Sequence, residues 1–243
     1  MFFPLRGAAA RRYWPYITLG LIAVNLGLFA YQLYIGPKAS LYLFARKGAV
    51  AAQLSQVKLS SLPEVLRLVP TMFTSLFLHA GWVHLIGNMW FLWVFGEGLE
   101  DELGHWRFLA FYFFCGFFSC IFHVLAASSL TAPLIGASGA IAGVLGGYML
   151  LRPKSPIHTL VLWRLKVEFT TLPAFLWLGL WLALQFYGLR QGGAVAWMAH
   201  LGGFFIGLFT VKLFTPISAA AVPAPIKANP KKKPRKGKKK TAA

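Results

Sequence analysis

Two residues that lie far apart in the chain, Ser138 and His200, are of the types that make an activated nucleophile. A serine hydroxyl attacks a carbonyl carbon when a neighbouring base takes its proton, and an imidazole is suited to that role near neutral pH. Both residues lie in apolar segments, and a titratable side chain in such a segment is a functional hypothesis by default. The pair therefore indicates covalent hydrolytic chemistry, provided that the fold brings the two side chains together.

Glycines recur at a spacing of four residues after both Ser138 and His200. Residues four apart share one face of a helix, so each segment would present a groove of bare backbone against which another helix can pack closely. A serine in such a stripe of small residues is more often there for packing, and it is the histidine that favours catalysis. The glycines are Gly139, Gly143 and Gly147 after the serine, and Gly203 and Gly207 after the histidine.

An earlier apolar segment carries His84 and Asn88, which are four residues apart and therefore lie on one helix face. Their N–H groups suit an oxyanion hole, and the backbone N–H of Ser138, near a helix N-terminus, is free to join them. Both side chains could instead serve as hydrogen-bonding partners between helices. No carboxylate falls at a matching depth in any apolar segment, so the sequence predicts a Ser-His dyad and no third member.

A metal centre is the alternative for the histidines. His79, His84, His200 and His123 could supply nitrogen ligands, but the spacings that are typical of zinc sites are missing. We therefore expect no metal and no cofactor.

The elements that must position these groups are six apolar segments, each about long enough to cross a membrane as a helix. The chain is 58% hydrophobic and only 12% charged, about half the charge of an average soluble domain. We therefore predict an all-α membrane protein, a bundle of six transmembrane helices, with interfacial segments in the first loop at 36–70. The predicted spans are 16–34, 81–98, 106–127, 134–151, 172–189 and 196–214.

Basic residues are concentrated at the C-terminal end, and the formal net charge is +18. The run KANPKKKPRKGKKK has no apolar face, so we predict a disordered basic tail at 216–243, after a core at 16–215 and an N-terminal segment at 1–15. Such a tail favours an anionic lipid surface, and we expect no nucleic-acid partner. Cys115 and Cys120 lie in one apolar run and are interpreted as packing residues.

Both chain ends are predicted in the cytoplasm, because that orientation leaves most basic residues inside. The second, fourth and sixth spans then all begin at the outer face. Ser138, His200, His84 and Asn88 would share a depth of roughly 5–11 Å, at which water can reach them.

Three motifs together resemble those of the rhomboid intramembrane serine proteases. Gly136-Ala137-Ser138-Gly139 is similar to their GxSG motif, and the AHLGGFFIG run that contains His200 is similar to the AHxxGxxxG pattern of their last helix. His79, His84 and Asn88 match the HxxxxHxxxN pattern of their second helix. The resemblance covers roughly residues 14–215.

The resemblance implies that Ser138 and His200 form the catalytic dyad and that His84 and Asn88 stabilise the oxyanion. It also implies that His79 supports the first loop. Glu100 matches a glutamate that in relatives helps to fix the inner end of the second helix. Gly136, Gly139, Gly203 and Gly207 take supporting places.

Two departures accompany the resemblance. Many relatives carry a Trp-Arg pair in the first long loop, and this sequence has none there. Some relatives have a tyrosine four residues after the serine, stacked on the histidine, where this chain has Ala142. His200 must therefore be oriented by another group.

The function that the resemblance implies is cleavage of single-span, membrane-anchored proteins in or next to their transmembrane segment. Small or helix-breaking residues are expected in the substrate span, because a helix must unwind before its backbone can be attacked. One alternative is a catalytically inactive relative that binds membrane proteins, and another is a small transporter. The expected location is a bacterial cell membrane, as a multi-pass protein.

Overall fold

The computed structural model describes residues 2–7, 12, 14–58, 60–127, 129–163, 166–191 and 196–216. Most of these residues are helical, as predicted. The predicted basic tail lies, apart from Pro216, outside the described residues, so the division into segment, core and tail stays a prediction. In the described part the helices are α1 (Tyr16–Lys47), α2 (Ala51–Leu54), α3 (Leu62–Leu68), α4 (Thr71–Thr74), α5 (Trp82–Phe91), α6 (Glu97–Leu103), α7 (His105–Ala126), α8 (Ser138–Leu151), α9 (Ala174–Gln191) and α10 (Trp197–Thr210).

Short helical turns extend several of these helices. A π-helical turn at Leu92–Gly96 joins α5 to α6, and a 3-10 turn at Val211–Phe214 continues α10. The first helix is longer than the predicted span because it resumes after a kink at Gly36, where φ is +81° and Pro37 follows. The short helices of 36–70 form as predicted, while their place at an interface stays a prediction.

Within the described residues, three helices are long and apolar enough to span a membrane: Tyr16–Lys47, His105–Ala126 and Trp197–Phe214. A fourth span arises if the segments Leu62–Phe77 and Trp82–Leu103, bent by 84°, count as one. The helix Ser138–Leu151 is apolar but has only 14 residues. The prediction of six spans therefore remains a prediction.

A three-stranded antiparallel sheet was not predicted, and the expectation of an all-α protein was incomplete in this respect. Its strands, in the order β1-β4-β5, are β1 (Phe2–Gly7), β4 (Pro156–Trp163) and β5 (Lys166–Pro173). The last two form a hairpin that is rich in β-branched and aromatic residues, and Ile157 and Thr159 alternate inward as strand residues do. Charged residues interrupt the apolar positions of this stretch and conceal the alternation in the sequence.

A second, two-residue ladder ties the first loop to the segment before Ser138. Its strands are β2 (Ala49–Val50) and β3 (Pro133–Leu134), which pair in an antiparallel sense. The predicted fourth span began at 134, but β3 and the turn after it hold the chain out of the helix until Ser138. The nucleophile candidate is therefore the first residue of its helix and not about four residues inside it.

The centre of the molecule is α8, which is buried continuously from Gly139 to Tyr148 and packs between α7 and α10. A side chain at Gly203 or Gly207 of α10 would overlap the carbonyl group of Gly139 or Gly143 of α8. The two helices thus touch backbone to backbone, as the glycine spacing predicts.

The end of the bundle opposite to Ser138 is held by hydrogen bonds to the buried carboxylate of Glu100 and by ion pairs of the two residues after it. The Glu100 carboxylate accepts hydrogen bonds from the backbone N–H groups of Ile17 (2.9 Å) and Thr18 (2.8 Å) and from the Thr18 hydroxyl (2.7 Å). A carboxylate at the first turn of α1 satisfies N–H groups that have no partner within the helix. Arg152, just after α8, pairs nearby with Asp101 and Glu102.

Candidate active site

The side chains of Ser138 and His200 meet at the ends of two helices that are packed on glycine. The distance from Ser138 Oγ to His200 Nε2 is 2.8 Å, within hydrogen-bond range. Ser138 begins α8 and His200 lies in the first turn of α10. The close approach of these helices at Gly139 and Gly203 carries the two side chains to the same end of the bundle.

His200 is held from its other side by α9. Its Nδ1 lies 2.8 Å from Oε1 of Gln185, whose Nε2 donates in turn to the backbone carbonyl of Trp181 at 3.1 Å. The indole rings of Trp181 and Trp197 lie 6.2 and 6.0 Å from the imidazole, measured between ring centroids. These three residues hold the imidazole.

The role of Gln185 was not predicted, although the sequence contains a signal for it. Within the predicted span 172–189 it is the only residue with a side-chain amide or a charge. A lone amide in an apolar helix needs a hydrogen-bond partner when it is buried, and His200 was the candidate still without an orienting group. Trp181 and Trp197 carried no comparable signal, because aromatic residues are common at span ends.

Gly136 adopts a φ of +113°, a conformation that residues with a side chain rarely adopt, and places the turn before Ser138 against α5. A Cβ at this position would overlap the imidazole of His84 and come near Nδ2 of Asn88. The N–H of Gly136 donates to the carbonyl of Ser75 at 2.8 Å, which fixes the turn. The bare backbone here leaves room for the polar groups of α5 beside Ser138.

The two side chains of α5 present N–H groups to this space. His84 Nδ1 faces the N–H of Ala80 at 3.4 Å, so Nδ1 accepts and the proton of a neutral ring is on Nε2, which faces Gly136. Asn88 is buried and its Nδ2 lies 3.0 Å from Nε2 of His79. The second amide hydrogen of Asn88 is left for another acceptor.

His79 lies behind Asn88 and does not line the cavity next to Ser138. Its backbone exchanges two hydrogen bonds with the side chain of Gln32 in α1: the carbonyl accepts from Nε2 at 2.8 Å, and the N–H donates to Oε1 at 3.1 Å. The ring of His79 also packs edge-on against His84. His79 therefore connects α1 to the loop before α5 and supports Asn88.

Ser138, His200 and the polar side chains around them line one cavity of about 770 Å³. Its walls come from α5, α7, α8, α9 and α10 and from the segment around Leu130–Ile135, and most of them are apolar. The polar lining consists of His84, Asn88, His123, Ser138, Gln185 and His200. Among the described residues of the lining, none is a carboxylate, an ammonium or a guanidinium group.

Known proteins resemble this chain over much of its length. The family model described as "Rhomboid domain" matches residues 64–217. "Rhomboid-like protein 11, chloroplastic" of Arabidopsis thaliana is 28% identical over 63% of this chain and 55% of its own length. "Rhomboid protein 1, mitochondrial" of Saccharomyces cerevisiae is 35% identical over 55% of this chain and 38% of its own length.

A bacterial relative is "Putative rhomboid protease YdcA" of Bacillus subtilis, which is 37% identical over 33% of this chain and 40% of its own length. The chain spans only about half the length of the Arabidopsis relative described above and less of the yeast one.

Proposed function

The chain belongs to the rhomboid family of membrane proteins, and on that premise we propose that it is an intramembrane serine endopeptidase with a Ser-His dyad. The observation that carries the proposal is the 2.8 Å contact between Ser138 Oγ and His200 Nε2 inside a cavity. Its substrates are single-span membrane proteins, cut in or next to the membrane span. No cofactor takes part in the proposed reaction.

In the acylation step, His200 Nε2 accepts the hydroxyl proton of Ser138 while Oγ attacks the carbonyl carbon of the scissile peptide bond. A C–O bond forms, and the carbonyl electron pair moves to the oxygen, which becomes the oxyanion of a tetrahedral intermediate. Collapse of this intermediate breaks the C–N bond. The imidazolium returns its proton to the leaving amine, and the serine ester remains.

In the deacylation step, a water molecule gives its proton to the neutral imidazole of His200 and attacks the ester carbon. A second tetrahedral intermediate forms and collapses, releasing the new carboxylic acid and restoring the Ser138 hydroxyl. The same base serves both steps, so both require the tautomer that leaves Nε2 without a proton.

The proposal assigns three N–H donors near Ser138 to the oxyanion. They are the backbone N–H of Ser138 at the start of α8, Nδ2 of Asn88 and Nε2 of His84. Donors already in place in a mostly apolar cavity stabilise the developing charge without reorganisation. The apolar walls suit the unwound end of a substrate helix, whose exposed peptide groups hydrogen-bond only to this polar cluster.

The proposal includes the topology that the charge pattern predicts. Six spans would put both termini on the same side, and the basic residues assign that side to the cytoplasm of a bacterial cell. The cavity would then open toward the outer face of the cell membrane. The basic residues of 216–243 meet the anionic inner leaflet. Glycosylation or cysteine-accessibility mapping of the loops tests this arrangement directly.

Labelling by a fluorophosphonate tests the proposed chemistry. Purified protein in detergent should gain one covalent adduct, and peptide mass spectrometry should locate it at Ser138. Folded Ser138→Ala protein should gain none. A folded wild-type protein that neither labels nor cleaves any member of a panel of single-span substrates in liposomes would instead indicate an inactive relative that binds membrane proteins.

A further inference from the structure

We infer that Gln185 is a positioning residue for the proposed base, His200. Its side-chain oxygen holds the imidazole in the one neutral tautomer that can take the proton of Ser138. The inference deepens the proposed function and depends on it for the kinetic consequences. The tautomer itself is a property of the folded protein and is measurable without any substrate. The inference is based on the continuous series of hydrogen bonds that runs from Trp181 through Gln185 and His200 to Ser138.

The ring of His200 has one of two neutral forms. A neutral imidazole carries one proton, on Nδ1 or on Nε2, and the nitrogen without it is the acceptor. Oε1 of Gln185 has no hydrogen, so the nitrogen at 2.8 Å from it must be the donor. The proton is therefore on Nδ1, and the lone pair of Nε2 points at the hydroxyl of Ser138.

The amide of Gln185 would impose the opposite tautomer on His200 if it were rotated by 180°. In the observed orientation its Nε2 donates to the carbonyl oxygen of Trp181 at 3.1 Å. Rotation would place the amide oxygen against that carbonyl oxygen, so that two acceptors would face each other without a hydrogen between them. The backbone of α9 thus fixes the amide, and the amide fixes the imidazole.

The side chain of Gln185 borders the cavity, but burial limits the competition of water for its amide. Gln185 is buried at 6% exposure, and the ring of Trp181 covers the imidazole on the same side. Gln185 acts on His200 differently from the aspartate in Ser-His-Asp enzymes, because a neutral amide orients the ring without adding a charge. In those enzymes asparagine in place of the aspartate favours the wrong tautomer and lowers kcat about 10⁴-fold. The carbonyl of Trp181 excludes that outcome at Gln185.

The test compares Gln185→Leu with wild type in detergent and in liposomes. Gln185→Leu keeps the size of the side chain and removes the acceptor, so kcat should fall roughly 10- to 100-fold, the range seen when a metal-bound histidine loses such a partner. KM should stay nearly unchanged. Leu184→Ala is the matched control, because Leu184 is next to Gln185 on α9 but is exposed and outside the cavity. It should cleave like wild type.

Gln185→Glu provides a readout that a packing role would not move. A carboxylate beside Nδ1 favours the imidazolium, and the imidazolium cannot act as a base. The acid limb of the kcat profile should therefore move to higher pH, with turnover recovering as the pH rises. The other titratable groups around His200 are His84 on α5 and His123 on α7, with His79 behind Asn88, and these are the same in both proteins.

The ¹⁵N chemical shifts of the His200 ring give the result that is independent of activity. The wild-type protein above the imidazole pKa should have a protonated Nδ1 and a bare Nε2, and Gln185→Leu should have a mixture of tautomers. A wild type with the proton on Nε2 would overturn the inference even if Gln185→Leu failed to fold. An active wild type whose kcat and acid limb were matched by Gln185→Leu and Gln185→Glu would overturn it as well. An inactive wild type with the expected shifts would count only against the protease function.

Discussion

Gly203 of α10 lies directly against the carbonyl group of Gly139 of α8, closer than any residue with a side chain could approach. The relationship matters because Ser138 immediately precedes Gly139, and His200 lies one turn before Gly203. A separation of these helices by the width of a methyl group would lengthen the Ser138–His200 contact of 2.8 Å beyond hydrogen-bond range. The distance between the two catalytic candidates is thus set by backbone packing.

Gly203→Ala should therefore destabilise the protein by about 1–3 kcal/mol, as overpacking does, and reduce cleavage strongly. Thermal unfolding in detergent and cleavage of a reconstituted substrate measure the two effects. Gly179→Ala on α9 is the matched control, because no atom lies within 4 Å of the added methyl group. Since alanine is a better helix former than glycine, the control should be as stable as wild type or slightly more stable. Equal stability and activity of both variants would show that the helices do not need this contact.

Gly136→Ala should remove most of the activity, because the methyl group would meet the ring of His84 in addition to straining a φ of +113°. Gly36→Ala separates the two causes. Gly36 also has a positive φ, +81°, but nothing lies within 4 Å of its added methyl group. Both variants should lose stability, and only Gly136→Ala should lose turnover per folded molecule, measured as kcat after correction for the folded fraction. Equal turnover per folded molecule in the two variants would mean that Gly136→Ala acts through backbone strain alone and not through His84.

Asn88→Ala should lower kcat by roughly 10²–10³-fold with little change in KM, because an oxyanion donor acts mainly in the transition state. The loss should lie toward the lower end, since His84 and the Ser138 N–H remain. Steady-state kinetics on a reconstituted substrate provide the measurement.

Asn25→Ala is the control for Asn88→Ala. It removes a buried asparagine whose amide donates to the carbonyl of Leu21 in its own helix and which is not part of the cavity lining. It should reduce stability and leave kcat unchanged. A rise in KM alone for Asn88→Ala would assign Asn88 to substrate binding or packing and would require other donors for the oxyanion.

The sequence predicts the apolar helices and the polar groups among them, because long apolar runs, glycine spacing and isolated polar side chains are local signals. It does not predict the exact start of α8, which depends on the turn at Gly136 and on the pairing of β3 with β2. It misses the sheet β1-β4-β5, because two of its strands form from a stretch that reads as a charged loop and the third comes from the other end of the chain.

The partner of His200 was missed for a different reason. Whether Gln185 points at lipid, at a helix or at the imidazole depends on the rotation of α9 about its axis, which the packing against α8 and α10 sets. An apolar helix that is hydrophobic all round, as this one nearly is, carries no periodic signal for that rotation. The residue was visible in the sequence, and its contact was not.

Ser138 and His200 are proposed to act as one catalytic unit, and the cleavage rate of a single-span substrate in liposomes is the measurement that decides whether they do. Folded Ser138→Ala, His200→Ala and the double variant should all be inactive, and the double variant should be no worse than either single one. Without the base the hydroxyl is a poor nucleophile, and without the hydroxyl the base has nothing to activate. Cleavage that survives in folded Ser138→Ala protein would show that the nucleophile is another group and that the Ser-His dyad is not the catalytic unit.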